Sequence, residues 1–424
     1  MKALITIFFT FVTAGTYAQR ICGSSEYKKS LLAKDPSLQL SFEKAEQQVQ
    51  KTLANSGKYF ARDTISNEII NIPVVVHVIY KNANQNISDA QILSQLVALN
   101  NDFAYTNDNK INTPAVFKKF TADTRIKFCL AQVDPKGIRT SGIIRKQSST
   151  EIFNADDAMK FSASGGDDAW DSKRYLNIWV CGLGSRSLGY AALPGGPADK
   201  DGVVIGYDVF GTIGTLRIPF DKGRTATHEI GHWLGLKHIW GDENCGSDDV
   251  DDTPRQKSYN FGSPVFPHVT DCSLDANGDM FMNYMDFSDD AVMNMFTIGQ
   301  KKRMRALFAN GNARNSFLTS FACDSSLAQA APLPVPETSP TATPVDAFKV
   351  YPNPVESYAI IEYTPAAEFE TKQVNVYNTQ GIKVYSGEIN KGKMSINLSK
   401  LSKGLYVIRI GAGKKAFTSK LIKL

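Results

Sequence analysis

Three of the five histidines in this 424-residue chain lie close together, in the segment HEIGHWLGLKH that starts at position 228. On an α-helix, residues four apart share a face, so His228 and His232 can offer their imidazoles to one metal ion. Glu229 lies about 100° further round such a helix, where its carboxylate can reach a water on the metal without binding the metal itself. This spacing predicts a metal site with a general base beside it.

The rest of the segment supplies a third ligand. Gly235 can adopt a backbone conformation that ends the helix and turns the chain, so that His238 returns toward the other two imidazoles. Three neutral imidazoles leave coordination positions open for water and substrate, which is typical of catalytic rather than structural zinc. The alternative is a histidine-rich amphipathic helix packed by Ile230, Trp233 and Leu234, which the spacing makes improbable.

The segment matches HExxHxxGxxH, and Asn283-Tyr284-Met285-Asp286 follows about fifty residues later. In both features the sequence resembles the metzincin zinc peptidases, whose methionine turn would place Met285 beneath the metal. Within that clan, residues 65 to 322 look most like the pappalysin family. The resemblance implies zinc-dependent hydrolysis of peptide bonds in proteins, with Glu229 as general base.

Phe287 stands where many metzincins carry a tyrosine that assists the reaction, and the direction of the neighbouring Tyr284 is open at this stage. The strand-like segment 187 to 191 resembles the edge strand that pairs with extended substrate. The resemblance also points to Asp290 as the floor of the pocket for the residue after the scissile bond, where a carboxylate would select Arg or Lys. A solvated acidic loop or a helix N-cap is an equal alternative for Asp290.

An acidic loop follows the third histidine. Its oxygen ligands suit calcium, an expectation that rests partly on the family resemblance; the candidates are Asp248, Asp249, Asp252 and Thr253. A solvated loop is the alternative. Cys245 and Cys272 flank this loop, and we expect a disulfide between them. No pairing is predicted for Cys129, Cys181 or Cys323.

Cys22 lies at the start of the exported chain, within Arg20-Ile21-Cys22-Gly23, where a structural cysteine would have little core to join. A thiolate is a strong zinc ligand, and the segment resembles the cysteine switch of metzincin zymogens. We therefore expect Cys22 to bind the zinc and keep the enzyme latent. The alternative is a free or disulfide-bonded terminal cysteine. Arg62, within Tyr59-Phe60-Ala61-Arg62-Asp63, offers a basic site for cleavage of the pro-segment.

Several elements must position these residues. Residues 1–18 have the layout of a secretory signal, and residues 19–62 form a polar, helix-prone pro-segment. Residues 63–323 mix strand and helix patterns, which predicts an α/β (α+β) catalytic domain of metzincin type, with a twisted mixed sheet and an active-site helix. Residues 324–346 form a linker rich in Pro, Ala, Ser and Thr.

Residues 347–424 show short alternating strands separated by turns, which predicts a small all-β sandwich. This tail resembles the type A sorting domain of the type IX secretion system, through Tyr351-Pro352-Asn353-Pro354, Asn378-Thr379-Gln380-Gly381, Gly404-Leu405-Tyr406 and the closing Lys420-Leu421-Ile422-Lys423-Leu424. The resemblance implies export through the periplasm and outer membrane, to the medium or the cell surface. A carbohydrate-binding or adhesive sandwich is the alternative.

Composition excludes several other classes of function. The net charge of +5 is modest and the basic residues are dispersed, so nucleic-acid binding has no support. The apolar run near the N-terminus is too short to span a bilayer, so no transmembrane anchor is expected. The sequence predicts no oligomeric state. A non-catalytic surface or adhesive protein on a metzincin scaffold is the second hypothesis, favoured by Phe287.

Overall fold

The computed structural model describes residues 22–59, 68–184, 187–273, 276–320, 322–324, 347–364, 372–378, 382–390, 392–411 and 417–424. The predicted signal segment, most of the linker, Arg62 and the turn at 379–381 lie outside these residues. The chain divides into two compact units, Met1–Ala331 and Pro332–Leu424. None of the helices in the described ranges is long and apolar enough to cross a membrane.

The first unit is built on one mixed sheet. Its strands are β1 (Ile70–Tyr80), β2 (Ile126–Leu130), β3 (Ile143–Gln147), β4 (Leu176–Cys181), β5 (Gly189–Ala191) and β6 (Val203–Gly206). They lie in the order β2-β1-β4-β6-β5, with β3 pairing β1 beyond the end of β2. All pairs are parallel except β5 with β6. The short antiparallel β5 therefore lies at the edge of the sheet.

Central strands of this sheet are buried on both faces, as parallel strands require. β4, with the sequence LNIWVC, is buried at every position. β1, with INIPVVVHVIY, is buried at all but one of its first ten positions. Helix α3 (Asp89–Phe103) is capped by Ser88, whose hydroxyl accepts a hydrogen bond from the Gln91 amide. The helix packs against the active-site helix α4 (Arg224–Trp233). Helix α5 is Ile298–Ala306.

The N-terminal segment forms two helices, α1 (Ser24–Lys34) and α2 (Leu38–Tyr59). They pack against the rest of the first unit, α1 against β5 and α2 against α5. Arg303 of α5 links α2 to the turn after α4, because its guanidinium pairs with Glu46 of α2 at 2.5 Å and donates to the Gly235 carbonyl at 2.8 Å. The two N-terminal helices also have an apolar face, which the rest of the first unit buries.

The second unit contains two antiparallel sheets. Its strands are β7 (Ala347–Tyr351), β8 (Tyr358–Thr364), β9 (Lys372–Asn378), β10 (Lys383–Ile389), β11 (Gly392–Asn397), β12 (Gly404–Ile410) and β13 (Phe417–Lys423). One sheet has the order β10-β9-β12-β13 and the other β11-β8-β7. Alternate residues of both sheets form one separate apolar core, which includes Ile361, Val376 and Ile408. The arrangement is a small β-sandwich.

Candidate metal centre and active site

Three histidine nitrogens converge beside the active-site helix. His228 and His232 project from one face of α4, which ends after Trp233. Gly235 then adopts a positive φ of 78°, a conformation that favours glycine, and the chain reverses. His238 comes back toward the helix, so that Nε2 of His232 lies 3.1 Å from Nε2 of His228 and 3.0 Å from Nε2 of His238.

The opposite nitrogen of each ring is held in place. Nδ1 of His228 lies 2.6 Å from the Tyr284 carbonyl and Nδ1 of His232 lies 2.8 Å from the Leu236 carbonyl. Nδ1 of His238 lies 2.5 Å from Oδ1 of Asp242. Because Nδ1 carries the proton in each of these bonds, Nε2 of a neutral ring presents a lone pair.

These lone pairs point at one another, and a cation between them would remove their repulsion. Burial, followed by the nearby His238, lowers the pKa of His232 to about 3, which keeps that ring neutral. The donor set therefore fits a divalent metal ion that accepts nitrogen ligands.

Cys22 adds a sulfur atom to this cluster. Its Sγ and the three imidazole nitrogens all lie within 4.8 Å of one another, and no other such group of metal-binding side chains occurs among the described residues. Burial, and then the charge of Glu229, raise the pKa of this thiol well above its usual value. The structure thus brings together the four ligands that the sequence predicted.

Glu229 lies beside the cluster without belonging to it. Its Oε2 accepts a hydrogen bond from the hydroxyl of Ser24 at 2.8 Å and one from the Cys22 thiol at 3.4 Å. Glu229 is buried. The N-terminal residues 22–24 thus contact the carboxylate that the sequence predicted as general base.

Residues 22–24 also occupy the open edge of β5. Cys22 forms an isolated parallel bridge with Gly189. The Gly23 amide donates to the Gly189 carbonyl at 2.9 Å, and the Ala191 amide donates to the Ser24 hydroxyl at 2.9 Å. An extended substrate that paired with β5 would need these same backbone groups. Residues 22–24 therefore cover both the histidine cluster and the strand edge.

Met285 lies beneath the histidines. It is fully buried, and a Cβ built at Gly231 of α4 would lie only 2.5 Å from its sulfur atom. Its own amide donates to the Asn283 side chain at 2.9 Å. Any side chain at position 231 would displace Met285 or the helix, so the glycine lets α4 lie directly on the methionine.

The aromatic residues of the turn have different surroundings. The hydroxyl of Tyr284 donates to Asp102 at 2.9 Å and accepts from Asn107 at 3.0 Å, both inside the protein. Tyr284 therefore faces the core and cannot supply a hydroxyl at the metal. Phe287, in contrast, lies beside the ligands, with its ring 4.9 Å from that of His238. Phe287 itself carries no hydroxyl at the position where many metzincins have a tyrosine.

Asp290 is fully buried at the start of the active-site helix. Its Oδ2 accepts hydrogen bonds from the amide of Lys222 at 2.8 Å and from that of Arg224 at 3.3 Å. A carboxylate there stabilises the positive end of the α4 dipole. Asp290 is therefore not part of a solvated acidic loop. Its carboxylate caps the start of α4, and a role in substrate specificity would be additional to this cap.

The acidic loop does not gather its carboxylates at one point. Asp252 caps α5 through the Thr297 hydroxyl and the Gly299 amide, and Asp249 pairs with Lys237 at 2.5 Å. Asp248 differs from both. Its Oδ1 accepts from Thr253, whereas its buried Oδ2 has no hydrogen-bond partner within the part of the chain described, and burial raises its pKa to about 7.

Two disulfides are present. One joins Cys245 to Cys272 across the acidic loop. The other joins Cys129 to Cys323, for which the sequence offered no pairing. The two cysteines left unbonded, Cys22 and Cys181, are both buried.

Sequence reasoning missed two residues that hold the site. Asp242, four residues after His238, orients that imidazole, and its Oδ2 also accepts from Ser25 of the pro-segment at 2.8 Å. Asp102 of α3 binds Arg224, Thr227 and Tyr284 at once. The spacing of Asp242 could have identified it, but Asp102 lies more than one hundred positions upstream of its partners and belongs to no motif.

Two family models match this chain. Residues 162–309 match the peptidase family described as pregnancy-associated plasma protein-A, and residues 349–424 match the secretion system C-terminal sorting domain. An extracellular metalloprotease of Verticillium alfalfae is 32% identical over 270 residues, which cover 61% of this chain and 81% of that protein.

Solved structures are also similar. A promirolysin mutant of Tannerella forsythia is 44% identical, with a TM-score of 0.66, and the match covers 73% of this chain and all of that one. Mature mirolysin of the same organism, in complex with a cleaved peptide, is 49% identical over 62% of this chain and the whole of that one, with a TM-score of 0.60. These likenesses confirm the predicted fold class.

Proposed function

The chain belongs to the pregnancy-associated plasma protein-A, or pappalysin, family of metallopeptidases, and from that membership we propose that it is a zinc endopeptidase made as a latent precursor. It is an exported enzyme whose second unit is a sorting domain of the type IX secretion system. The family, the metalloprotease activity and the export were all predicted from the sequence and are confirmed. The ion, the latency and the preference for substrates are our proposals.

The observation that carries the assignment of zinc is the convergence of three Nε2 atoms whose Nδ1 partners leave lone pairs facing inward. His228, His232 and His238 would hold the ion. Bound there, zinc would polarise the scissile carbonyl and lower the pKa of its water. Nitrogen donors of this kind, with a sulfur atom completing a set of four, suit zinc better than magnesium or calcium, which prefer oxygen.

Glu229 carries the proton transfer. In the processed enzyme its Oε2, released from Ser24 and Cys22, would accept a proton from the attacking water and then donate it to the leaving amine. Gly189 and Ala191 would orient the substrate by pairing with its backbone. Phe287 and the buried Tyr284 supply no hydroxyl for the oxyanion, so we expect a slower turnover than a tyrosine at position 287 would give.

Latency rests on Cys22. In the precursor its thiolate would take the fourth position on the ion, and Ser24 would hold the general base. Support comes from the position of Sγ within 4.8 Å of the imidazole nitrogens and from the contacts that residues 22–24 make with Gly189 and Ala191 of β5. Cleavage after the pro-segment, near Arg62, would free the metal, the base and the strand edge in one step.

Two finer features complete the proposal. Asp290 would select Arg or Lys after the scissile bond by pairing its carboxylate with the basic side chain. Calcium would bind at the acidic loop and stabilise it, with Asp248 as the central ligand and with Asp249, Asp252 and Thr253 as the further candidates, because the buried Oδ2 of Asp248 calls for a positive partner.

The direct test is hydrolysis of denatured casein and of arginine-containing peptides by the processed protein. Chelation should abolish cleavage, and stoichiometric zinc should restore it. A Glu229→Ala variant should bind zinc and cleave nothing. Equal absence of cleavage in the wild type, the variant and the chelated sample would refute the peptidase.

A further inference from the structure

Tyr27 of α1 fills a pocket in the catalytic part of the first unit. We call it the Lys160 pocket and define it by Asp157, Lys160, Trp179 and Tyr190, all of which are fully or almost fully buried. The ring of Tyr27 lies 4.7 Å from that of Tyr190. The N-terminal segment therefore places one aromatic side chain in a cavity that is lined by other parts of the chain.

The polar end of the pocket suits a phenol. The Tyr27 hydroxyl donates to Oδ1 of Asp157 at 2.7 Å and accepts from Nζ of Lys160 at 3.1 Å. A phenol both donates and accepts, so it satisfies both groups at once. A phenylalanine in place of Tyr27 would leave Asp157 and Lys160 without the hydroxyl partner. An aliphatic side chain there would also lose the contact with the Tyr190 ring.

The charged groups of the pocket also pair with one another and with neighbouring residues other than Tyr27. Lys160 pairs with Asp157 at 2.9 Å and donates to the Lys200 carbonyl at 2.9 Å, while Lys200 pairs with the other oxygen of Asp157 at 3.3 Å. Although burial opposes ionisation, Lys160 holds the pKa of Asp157 below its usual value. The ammonium also lies 5.4 Å from the Trp179 ring and 4.9 Å from the Tyr190 ring. These contacts lie within residues 157–200.

The pocket lies along the path that substrate must take. From Cys22 at the metal, the pro-segment follows the edge of β5 to Ser24, and α1 then carries Tyr27 onto Tyr190, the middle residue of β5. The two steps from Cys22 through Gly23 to Ser24 and the first turn of α1 together span on the order of 10 Å, which an extended peptide covers in about three residues. A substrate paired with β5 would bring a side chain to the same place.

We propose that removal of the pro-segment turns the Lys160 pocket into a substrate subsite for tyrosine, about three residues from the scissile bond. The inference rests on the proposed function, since it needs a detached pro-segment and a peptide at β5. In the precursor, Tyr27 occupies the subsite as a substrate tyrosine would. The subsite is separate from Asp290, which lies at the start of α4.

The test compares peptides cleaved by the processed wild-type enzyme. A quenched fluorescent series keeps Arg directly after the scissile bond and places Tyr, Phe or Ala in turn at each of the other seven positions within four residues of that bond. At one position we expect kcat/KM for Tyr to exceed that for Phe by about tenfold, because the Asp157 and Lys160 groups lose a partner. Equal rates for Tyr and Phe at every position would overturn the proposal.

Two variants locate the effect. Asp157→Ala should bring the Tyr to Phe ratio closer to one, and because the ratio is taken within one protein, a partly unfolded variant lowers both rates alike. Asp168→Ala is the matched control, since Asp168 accepts from Ser162 at the surface and should leave the ratio intact. An unchanged ratio in Asp157→Ala would assign the preference elsewhere and so refute this pocket.

A binding experiment separates this inference from the peptidase itself. A labelled peptide of residues 24–34 lacks Cys22 and does not reach the metal through a thiol. Its anisotropy with processed protein should show about tenfold tighter binding than the same peptide with Tyr27→Phe. If the protein cleaves nothing but binds with this preference, the peptidase proposal fails and the pocket stands. If it cleaves peptides but neither experiment shows a preference for tyrosine, only the pocket fails.

Discussion

The thiol of Cys22 lies 3.4 Å from the Oε2 atom of Glu229, the residue that the mechanism needs as general base. Ser24 binds the same oxygen at 2.8 Å. Residues 22–24 thus contact the proposed base as well as the proposed metal ligands. Under the proposed latency, inhibition would have two parts, one at the metal and one at the carboxylate.

The first prediction concerns latency. A Cys22→Ser precursor should hydrolyse a fluorogenic peptide at least about tenfold faster than the wild-type precursor, because a hydroxyl is a far weaker zinc ligand than a thiolate. Cys181→Ser is the matched control, since Cys181 is also buried and unbonded. If Cys22→Ser remained as latent as the parent, the cysteine switch would be wrong.

The second prediction separates chemistry from metal binding. In the Cys22→Ser background, Glu229→Gln should lower kcat by about a hundredfold to ten-thousandfold, the usual contribution of a general base. Metal analysis should still find one zinc per chain. Glu243→Gln, at an exposed carboxylate nearby, should keep full activity. Loss of zinc from Glu229→Gln would assign the glutamate to the metal instead.

The third prediction concerns Asp242, which binds the imidazole of the proposed zinc ligand His238. Asp242→Asn should weaken zinc binding by about tenfold to a hundredfold, because Asp242 orients the His238 ring and increases its basicity. Competition with a chromophoric chelator measures this directly. Unchanged affinity would mean that the loop alone positions His238.

The fourth prediction addresses Asp290. We expect Asp290→Asn to lower kcat/KM for a peptide with Arg after the scissile bond by about a hundredfold relative to one with Leu, because charge pairing selects the basic residue. The melting temperature should fall as well, since the carboxylate also stabilises the start of α4. Equal losses for both peptides would leave Asp290 with the structural role only.

The fifth prediction concerns calcium. Millimolar calcium should raise the melting temperature of the wild type relative to a sample treated with a calcium-selective chelator, because binding to the folded state alone stabilises it. Asp248→Asn should abolish the increase by removing the central carboxylate. An identical increase in Asp248→Asn would place any calcium elsewhere.

Local patterns predicted most of the site. The four-residue spacing of His228 and His232, and the glycine that returns His238, are properties of one short segment, and helix geometry translates them directly into positions. The alternation of strands and helices, and of polar and apolar residues in the tail, likewise predicted the two architectures.

The contacts that escaped prediction join distant segments. Tyr27 and Lys160 are 133 positions apart, and Cys129 and Cys323 are 194 positions apart. Neither pair has a sequence spacing that predicts contact, because the tertiary fold and not the local chain brings the two residues together. The direction of Tyr284 depended in the same way on Asp102, which α3 supplies.

The bond between Cys129 and Cys323 closes a covalent loop that contains every proposed zinc-binding histidine and the base Glu229. Cys323 is also among the last described residues before the sorting domain. A pull on the tail during passage through the export machinery would therefore be carried by the disulfide to β2, a strand of the parallel sheet. The active-site helix lies inside the loop, so a force on the chain beyond Cys323 would reach β2 through the disulfide without passing along α4.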